Sequence, residues 1–257
     1  MGASTISGTL TATSREEAYN EDGHWVGDEK YTRVVKGAPR TLIVLFRAWS
    51  SDEKELGNYE LLPLLNNYVM VCPRANGVSN KPGTGGHPDQ LERIKRVIDA
   101  NLAEFPMITR VLGMGKSGGG HLGLMFMAAY PGVMYGGSFW VFPSDMVDWY
   151  YAHQRYTGMV EEYQEMLRGC YGGTPEEVPT VYAERSPMTR TITNTKLFIR
   201  GSKTDTAVPH HQQFDAAKHF GEDNPAWNNT VDWSYFTGGH TVIWADAAAQ
   251  LQSMYPV

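Results

Sequence analysis

The chain has 257 residues. That is one or two domains at about 150 residues each, and α/β folds often run to about 250 residues as one unit. Apolar residues make up 42 % and charged residues 19 %, which excludes disordered, collagen-like and coiled-coil classes, and a chain of this length buries roughly 70–75 % of its unfolded surface without a disulfide scaffold. The formal charge of −6 argues against nucleic acid as a partner, because affinity there comes from Lys and Arg neutralising phosphates.

In chain order, the opening residues Met1 to Ile6 show neither a basic nor an apolar signal region. The expected location is cytoplasmic, or secreted if a signal has been removed. No apolar run reaches the roughly 18 residues of a membrane span, so no membrane partner is expected. Thr5 to Ser14 alternates loosely, like an edge strand, and Glu29 to Val35 reads as another. Thr41 to Phe46 is a continuous apolar, β-branched run, the pattern of a parallel strand buried on both faces. Tyr68 to Cys72, Thr109 to Met114, Phe139 to Phe142, Lys196 to Ile199 and Val231 to Phe236 repeat it. Asp89 is placed to cap a helix running to about Phe105, with Leu91, Ile94, Val97, Ile98 and Leu102 at a 3.6 period. Gly119 to Tyr130 is apolar nearly all round, as a buried helix is, and Pro131 closes it. Strands alternating with helices predict a mostly parallel sheet flanked by helices. Residues 143–187 break the alternation and are aromatic and helical in character. They are expected to form a short helical cap inserted over the carboxyl ends of the strands of one domain spanning 1–257. Cys72 and Cys170 lie far apart and are expected to be free and buried.

One predicted strand runs into Gly113-Met114-Gly115-Lys116-Ser117-Gly118-Gly119-Gly120. A phosphate loop, G-x-x-x-x-G-K-[ST], fails because its first glycine falls on Arg110. The dinucleotide fingerprint G-x-G-x-x-G is met by Gly113, Gly115 and Gly118. It normally follows the first strand, with an acid about 20 residues on, and no Asp or Glu lies between Gly118 and Asp145. G-x-S-x-G is met by Gly115, Ser117 and Gly119, between a strand and a buried helix, which is the setting of a nucleophile elbow. In that arrangement the order is Ser, acid, His. Asp205 lies on the loop after the strand 196–199, and His240 on the loop after the last strand. Ser117 is thus the expected nucleophile, His240 its base and Asp205 the residue that orients the base. His210 and His211 are adjacent, so their side chains diverge, and His121 lies within the elbow helix. No spacing supports a metal site, and no cofactor is implied.

These motifs resemble the α/β-hydrolase superfamily. Within it, Gly115 to Leu122 is similar to the G-x-S-A-G-G-H-L of acetylesterase, feruloyl-esterase, dienelactone-hydrolase-like and prolyl-oligopeptidase-like members. Tyr171 to Glu177, with Ser186-Pro187, is similar to the segment that ends their cap. Gly201, Asp205, Val208 and Pro209 match their acid loop, and Gly239-His240 their base. The likeness covers about residues 40–250. It implies an α/β-hydrolase fold and a serine hydrolase that cleaves a small-molecule carboxylic ester through an acyl-enzyme. Where relatives carry H-G-G-G or H-G, this chain reads Phe46-Arg47-Ala48-Trp49-Ser50. The oxyanion donors are therefore expected from Gly118 and from Ala48 or Trp49, since main-chain N–H groups do not require glycine.

Arg47, Arg74, Lys116 and Arg200 each fall at the carboxyl end of a predicted strand, the edge where such sheets bind ligands. Arg47 and Lys116 are expected to attract an anionic substrate, and Trp140 and Trp149 to line an aromatic acyl pocket. Loop 74–89, rich in Gly, Asn and Pro, is expected to be a mobile wall. The alternatives are a prolyl-oligopeptidase-like peptidase, which normally carries a large extra domain, a silent binding module of the same fold, and a lyase or isomerase using the same triad. A homo-oligomer is left open.

Overall fold

A computed structural model describes residues 4–10, 29–49, 51, 55, 62–75, 83–152 and 160–256. Among these residues eight strands form one sheet: β1 Ser4–Leu10, β2 Glu29–Lys36, β3 Thr41–Phe46, β4 Tyr68–Pro73, β5 Arg110–Lys116, β6 Gly136–Trp140, β7 Lys196–Ser202 and β8 Thr230–Phe236. Their order across the sheet is β1-β2-β4-β3-β5-β6-β7-β8. The β1–β2 and β2–β4 pairs are antiparallel, and every pair from β4 to β8 is parallel. All six residues of β3 and of β4 are buried, as continuous β-branched runs require when helices cover both faces.

The described helices divide between the two faces. One face buries α1 Pro88–Glu104, α2 Gly118–Ala129 and α6 His211–Phe220 against Val44, Phe46, Val71, Phe139 and Ile199. The other buries α7 Trp244–Gln252 against Ile43, Leu45, Leu112, Met114 and Trp140. Between β6 and β7 come α3 Met146–Ala152, α4 Val160–Tyr171 and α5 Pro179–Glu184. These three pack on Trp49, after β3, and Val208, after β7. They therefore sit over the carboxyl ends of the strands.

The described part of the first strand is Ser4–Leu10, and 11–14 of the expected Thr5 to Ser14 lie outside the described residues. Several other element ends differ from the sequence reading. Strand β6 stops at Trp140 because Val141 takes a φ of 45° and turns the chain. Helix α1 starts at Pro88, and its cap is His87, whose Nδ1 accepts from the Asp89 N–H at 3.2 Å. Proline at the first turn gives up no helical hydrogen bond there. Both cysteines are buried thiols outside any disulfide. Among the described residues no helix is long and apolar enough to cross a membrane.

A buried polar network joins the loops at the carboxyl edge. The Glu29 carboxylate, fully buried, accepts from the Ala75 N–H at 2.6 Å and from Arg93 Nε at 2.5 Å. Burial raises the Glu29 carboxyl above the usual carboxylate range, and Arg93 opposes that rise. Gln90 donates to the Ala75 carbonyl at 3.1 Å and accepts from the Gly86 N–H at 2.9 Å. Removing one member of a buried ion pair leaves the other charge uncompensated. Glu29→Gln is expected to cost about 3 kcal/mol of stability, read as a lower urea midpoint. An unchanged midpoint would show that the pair carries no such load.

Candidate active site

The site is built around the turn from β5 into α2. Ser117 sits at φ 53°, ψ −130°, in backbone space that a residue with a Cβ rarely occupies. Its N–H donates to the Trp140 carbonyl at 2.9 Å. The turn is possible because the chain segments meet without side chains. A Cβ on Gly115 would lie 2.4 Å from the Gly119 carbonyl oxygen, and one on Gly119 would lie 2.0 Å from that of Phe46. Both glycines of G-x-S-x-G are thus fixed by space.

Asp205 and His240 come together. His240 Nδ1 and Asp205 Oδ2 are 2.8 Å apart, with the carboxylate fully buried and the imidazole 27 % exposed. The other carboxylate oxygen accepts from the Ala207 and Val208 N–H groups at 2.8 and 3.1 Å. The Gly239 N–H donates to Thr204 Oγ1 at 3.0 Å, which ties the two loops. With Nδ1 donating to the carboxylate, Nε2 is left as the acceptor of a proton. Strands β5 and β7 flank β6, and β8 follows β7, so all three side chains lie at one edge of the sheet. Among the described residues no hydrogen bond joins the Ser117 hydroxyl to His240.

The segment after β3 is held by its own polar contacts. The Ala48 N–H donates to Glu55 Oε2 at 2.7 Å, so the expectation that Ala48 supplies an oxyanion donor does not fit this geometry. Trp49 lies against the elbow instead, since a Cβ on Gly118 would be 2.9 Å from Trp49 N. Arg47 was expected at the rim but is 3 % exposed. Its guanidinium donates to the carbonyls of Arg74 at 2.8 Å, Ser51 at 2.9 Å and Ala75 at 3.3 Å, among others. A charge this buried is stabilised by main-chain acceptors and is withdrawn from any substrate. Arg200 is bonded to Asp232 at 2.8 Å.

Lys116 remains. It is half-buried and makes no hydrogen bond or ion pair among the described residues. It is in register with Trp140, and Met114 with Ser138. Ser138 Oγ lies 2.7 Å from Gln250 of α7, so Lys116 projects on the α7 face, the side from which the His240 loop descends into that helix. Trp140 and Trp149 pack against other rings among the described residues. Trp140 is fully buried, donates to Ser138 Oγ at 2.8 Å and meets the Phe236 ring edge-on. Trp149, 1 % exposed, is stacked on Trp49 at 5.0 Å.

Sequence reasoning missed three residues at this edge. Glu55 holds the Ala48 N–H. His211 Nε2 lies 2.7 Å from Asp148 of α3, fastening the cap to α6. His121, one turn beyond Ser117 on α2, is buried against Trp49, and its Nε2 lies 2.7 Å from the Arg185 carbonyl. Its i+4 spacing from Ser117 was the available signal. A cavity of about 10 Å³ separates Gly118 and Trp49 from Gly86 and Gln90. Another, of about 700 Å³, lies between α1, α2 and residues 184–190 and includes none of Ser117, Asp205 and His240. Among the described residues, no three His, Cys, Asp or Glu side chains are grouped to hold a metal ion.

Solved structures share this architecture. A puromycin hydrolase superposes with a TM-score of 0.71 at 14 % identity, over 98 % of this chain and 38 % of that one. A fungal esterase from Rhizomucor miehei gives 0.71 at 12 % identity, over 98 % and 83 %. Oligopeptidase B from Leishmania major gives 0.68 at 12 % identity, over 97 % and 36 %. The chain thus has the α/β-hydrolase fold, and it spans little more than a third of the puromycin hydrolase and oligopeptidase B chains. No family model matches the sequence, and no curated protein matches it.

Burial lowers His121 from the usual 6.5 to about 4. The unfolded chain therefore takes up this proton at higher pH than the folded one. The stability that His121 contributes is full above about pH 6.5 and is lost as pH falls towards 4, by about 3 kcal/mol. The wild type is expected to lose more stability than His121→Gln between pH 6.5 and 4, measured as urea midpoints. Parallel curves would contradict it.

Proposed function

We propose that the protein is a serine hydrolase that cleaves carboxylic esters. The observation that carries this reading is the His240–Asp205 pair on loops at the same sheet edge as a serine held at an elbow. Ser117 Oγ attacks the ester carbonyl carbon as His240 Nε2 takes its proton. The N–H groups of Gly118 and Trp49 receive the negative charge on the carbonyl oxygen. Collapse breaks the bond to the alcohol, which leaves with the proton from His240. Water then attacks the acyl-enzyme, again with His240 as base, and the acid is released. The Ser117–His240 hydrogen bond forms as substrate is seated, since such contacts tighten on going from the free enzyme to the complex.

Lys116 gives the substrate its charge preference. His240 protonates the leaving group, so the alcohol lies on the His240 side of Ser117, and Lys116 projects on that side of the sheet. An ester with a carboxylate on its alcohol portion would meet this ammonium. The two rings expected to form an aromatic acyl pocket are buried, Trp140 in the core against Phe236 and Trp149 in a stack on Trp49, so no aromatic preference is proposed.

A fluorophosphonate probe is expected to label the wild type and not Ser117→Ala. An unlabelled wild type would favour a binding module, and faster turnover of peptide amides than of esters would favour a peptidase. Asp205→Asn is expected to lower kcat by about 10⁴-fold, because the imidazole then takes the wrong tautomer. Lys116→Met is expected to raise KM for an ester with an anionic alcohol about fivefold, ~1 kcal/mol for a half-exposed contact, while KM for a neutral ester stays within twofold. Equal changes in both would remove the charge preference and leave the esterase reading intact.

A further inference from the structure

Three rings beside the nucleophile form a stack that the proposed chemistry does not itself use. Trp49 is stacked on His121, with centroids 5.4 Å apart and planes at 13°, and on Trp149, at 5.0 Å and 18°. Each ring comes from a different part of the chain: His121 from α2, Trp49 from the segment after β3, Trp149 from cap helix α3. The two outer partners are anchored to main chain. His121 Nε2 is 2.7 Å from the Arg185 carbonyl oxygen, and because a carbonyl oxygen only accepts, that nitrogen is the donor. Trp149 Nε1 donates to the Ala207 carbonyl at 3.1 Å. Ala207 is also the residue whose N–H holds the buried Asp205 carboxylate. Tyr163 of α4 packs on Trp149 at 5.5 Å.

Two consequences follow from these contacts. First, Trp149 bridges the halves of the site, touching the acid loop through its indole N–H and the segment after β3 through its ring face. Second, the Trp49 main chain abuts Gly118 closely enough that no Cβ fits between them. An oxyanion donor must lie about 2.7–3.1 Å from the developing charge, and a misplacement of about 1 Å costs up to 10²-fold in rate. The Ala48 N–H is held by Glu55, so the placement of Trp49 decides whether a second donor faces Gly118.

We propose that the His121–Trp49–Trp149 stack is a positioning device: it sets the Trp49 N–H against Gly118 and locks that setting to the Asp205 loop, so the cap acts on transition-state stabilisation instead of on substrate contact. This rests on the serine-hydrolase reading above. Trp149 and His121 are then positioning residues that touch no reacting atom.

The test uses a neutral chromogenic ester together with an arylboronic acid, whose tetrahedral adduct on Ser117 draws on the oxyanion donors. Trp149→Leu fills much of the volume without a ring, and Trp149→Phe restores a ring. In Trp149→Leu, kcat is expected to fall about 10- to 100-fold, the boronate Ki to rise in proportion, and KM to stay within about threefold. Trp149→Phe is expected to recover most of both losses. His121→Leu removes the other partner of Trp49 and is expected to give the same kcat-against-KM split. A folded Trp149→Leu with wild-type kcat would overturn the proposal, as would a loss confined to KM, which would make Trp149 a substrate contact. Failure of both leucine variants to fold would also overturn it, since the stack would then be core and not a device of the site. Fluorophosphonate labelling of the wild type, lost in Ser117→Ala, is run in parallel. A wild type that neither labels nor turns over ester fails the underlying reading, and a wild type that does both leaves only the positioning claim at stake.

Discussion

Everything at the carboxyl edge depends on one close approach, that of β3 and α2 at the Ser117 turn. A serine at φ 53° is strained backbone, of the kind that persists only where its surroundings over-determine it. Here much of the surroundings is main chain: the Gly119 carbonyl over Gly115, the Phe46 carbonyl over Gly119, and the Trp49 nitrogen over Gly118. The hydroxyl is thereby presented at the tip of a turn that cannot relax without moving a central strand. The neighbouring strands β3 and β5 are buried and parallel, so the cost of such movement falls on the core itself.

The loops around this turn are held by buried polar groups. Arg47 reaches the carbonyls of the segments after β3 and β4, Glu29 takes the Ala75 N–H and the Arg93 guanidinium, and Gln90 joins Ala75 to Gly86. Each of these charges would be costly alone and is tolerated because its partners are fixed. The same economy explains why a chain with several cations at its sheet edge leaves Lys116 alone without a described partner: the guanidinium groups of Arg47 and Arg200 are working as ties. Cap helix α3 joins the arrangement twice more, through Trp149 to Ala207 and through Asp148 to His211.

The parallel core was legible because β3 and β4 read as unbroken β-branched runs, a pattern with few alternatives. The elbow was legible because small residues at fixed offsets from a serine have a steric reason that survives in the sequence alone. Asp205 and His240 were legible by order along the chain, and their 2.8 Å contact needs no side chain beyond those two. What could not be read was the direction of long side chains. Arg47 follows β3 and Lys116 ends β5, yet one turns into a nest of carbonyls and the other stays on the α7 face, a difference set by tertiary neighbours. Trp140 and Trp149 read as pocket walls from composition, whereas burial placed one in the core and the other in a ring stack. The i+4 spacing of His121 from Ser117 puts it beside that serine, but nothing in an apolar helix says which rings a histidine stacks on, and those come from distant segments.

The most direct measurement is a crystal structure of the protein after reaction with a fluorophosphonate. The account predicts phosphorus bonded to Ser117 Oγ and a phosphoryl oxygen within about 2.7–3.1 Å of the N–H groups of Gly118 and Trp49. It also predicts His240 Nε2 within hydrogen-bond reach of the Ser117 oxygen, with its contact to Asp205 retained. Phosphorus on another side chain, or an imidazole that stays out of reach of the adduct, would contradict it.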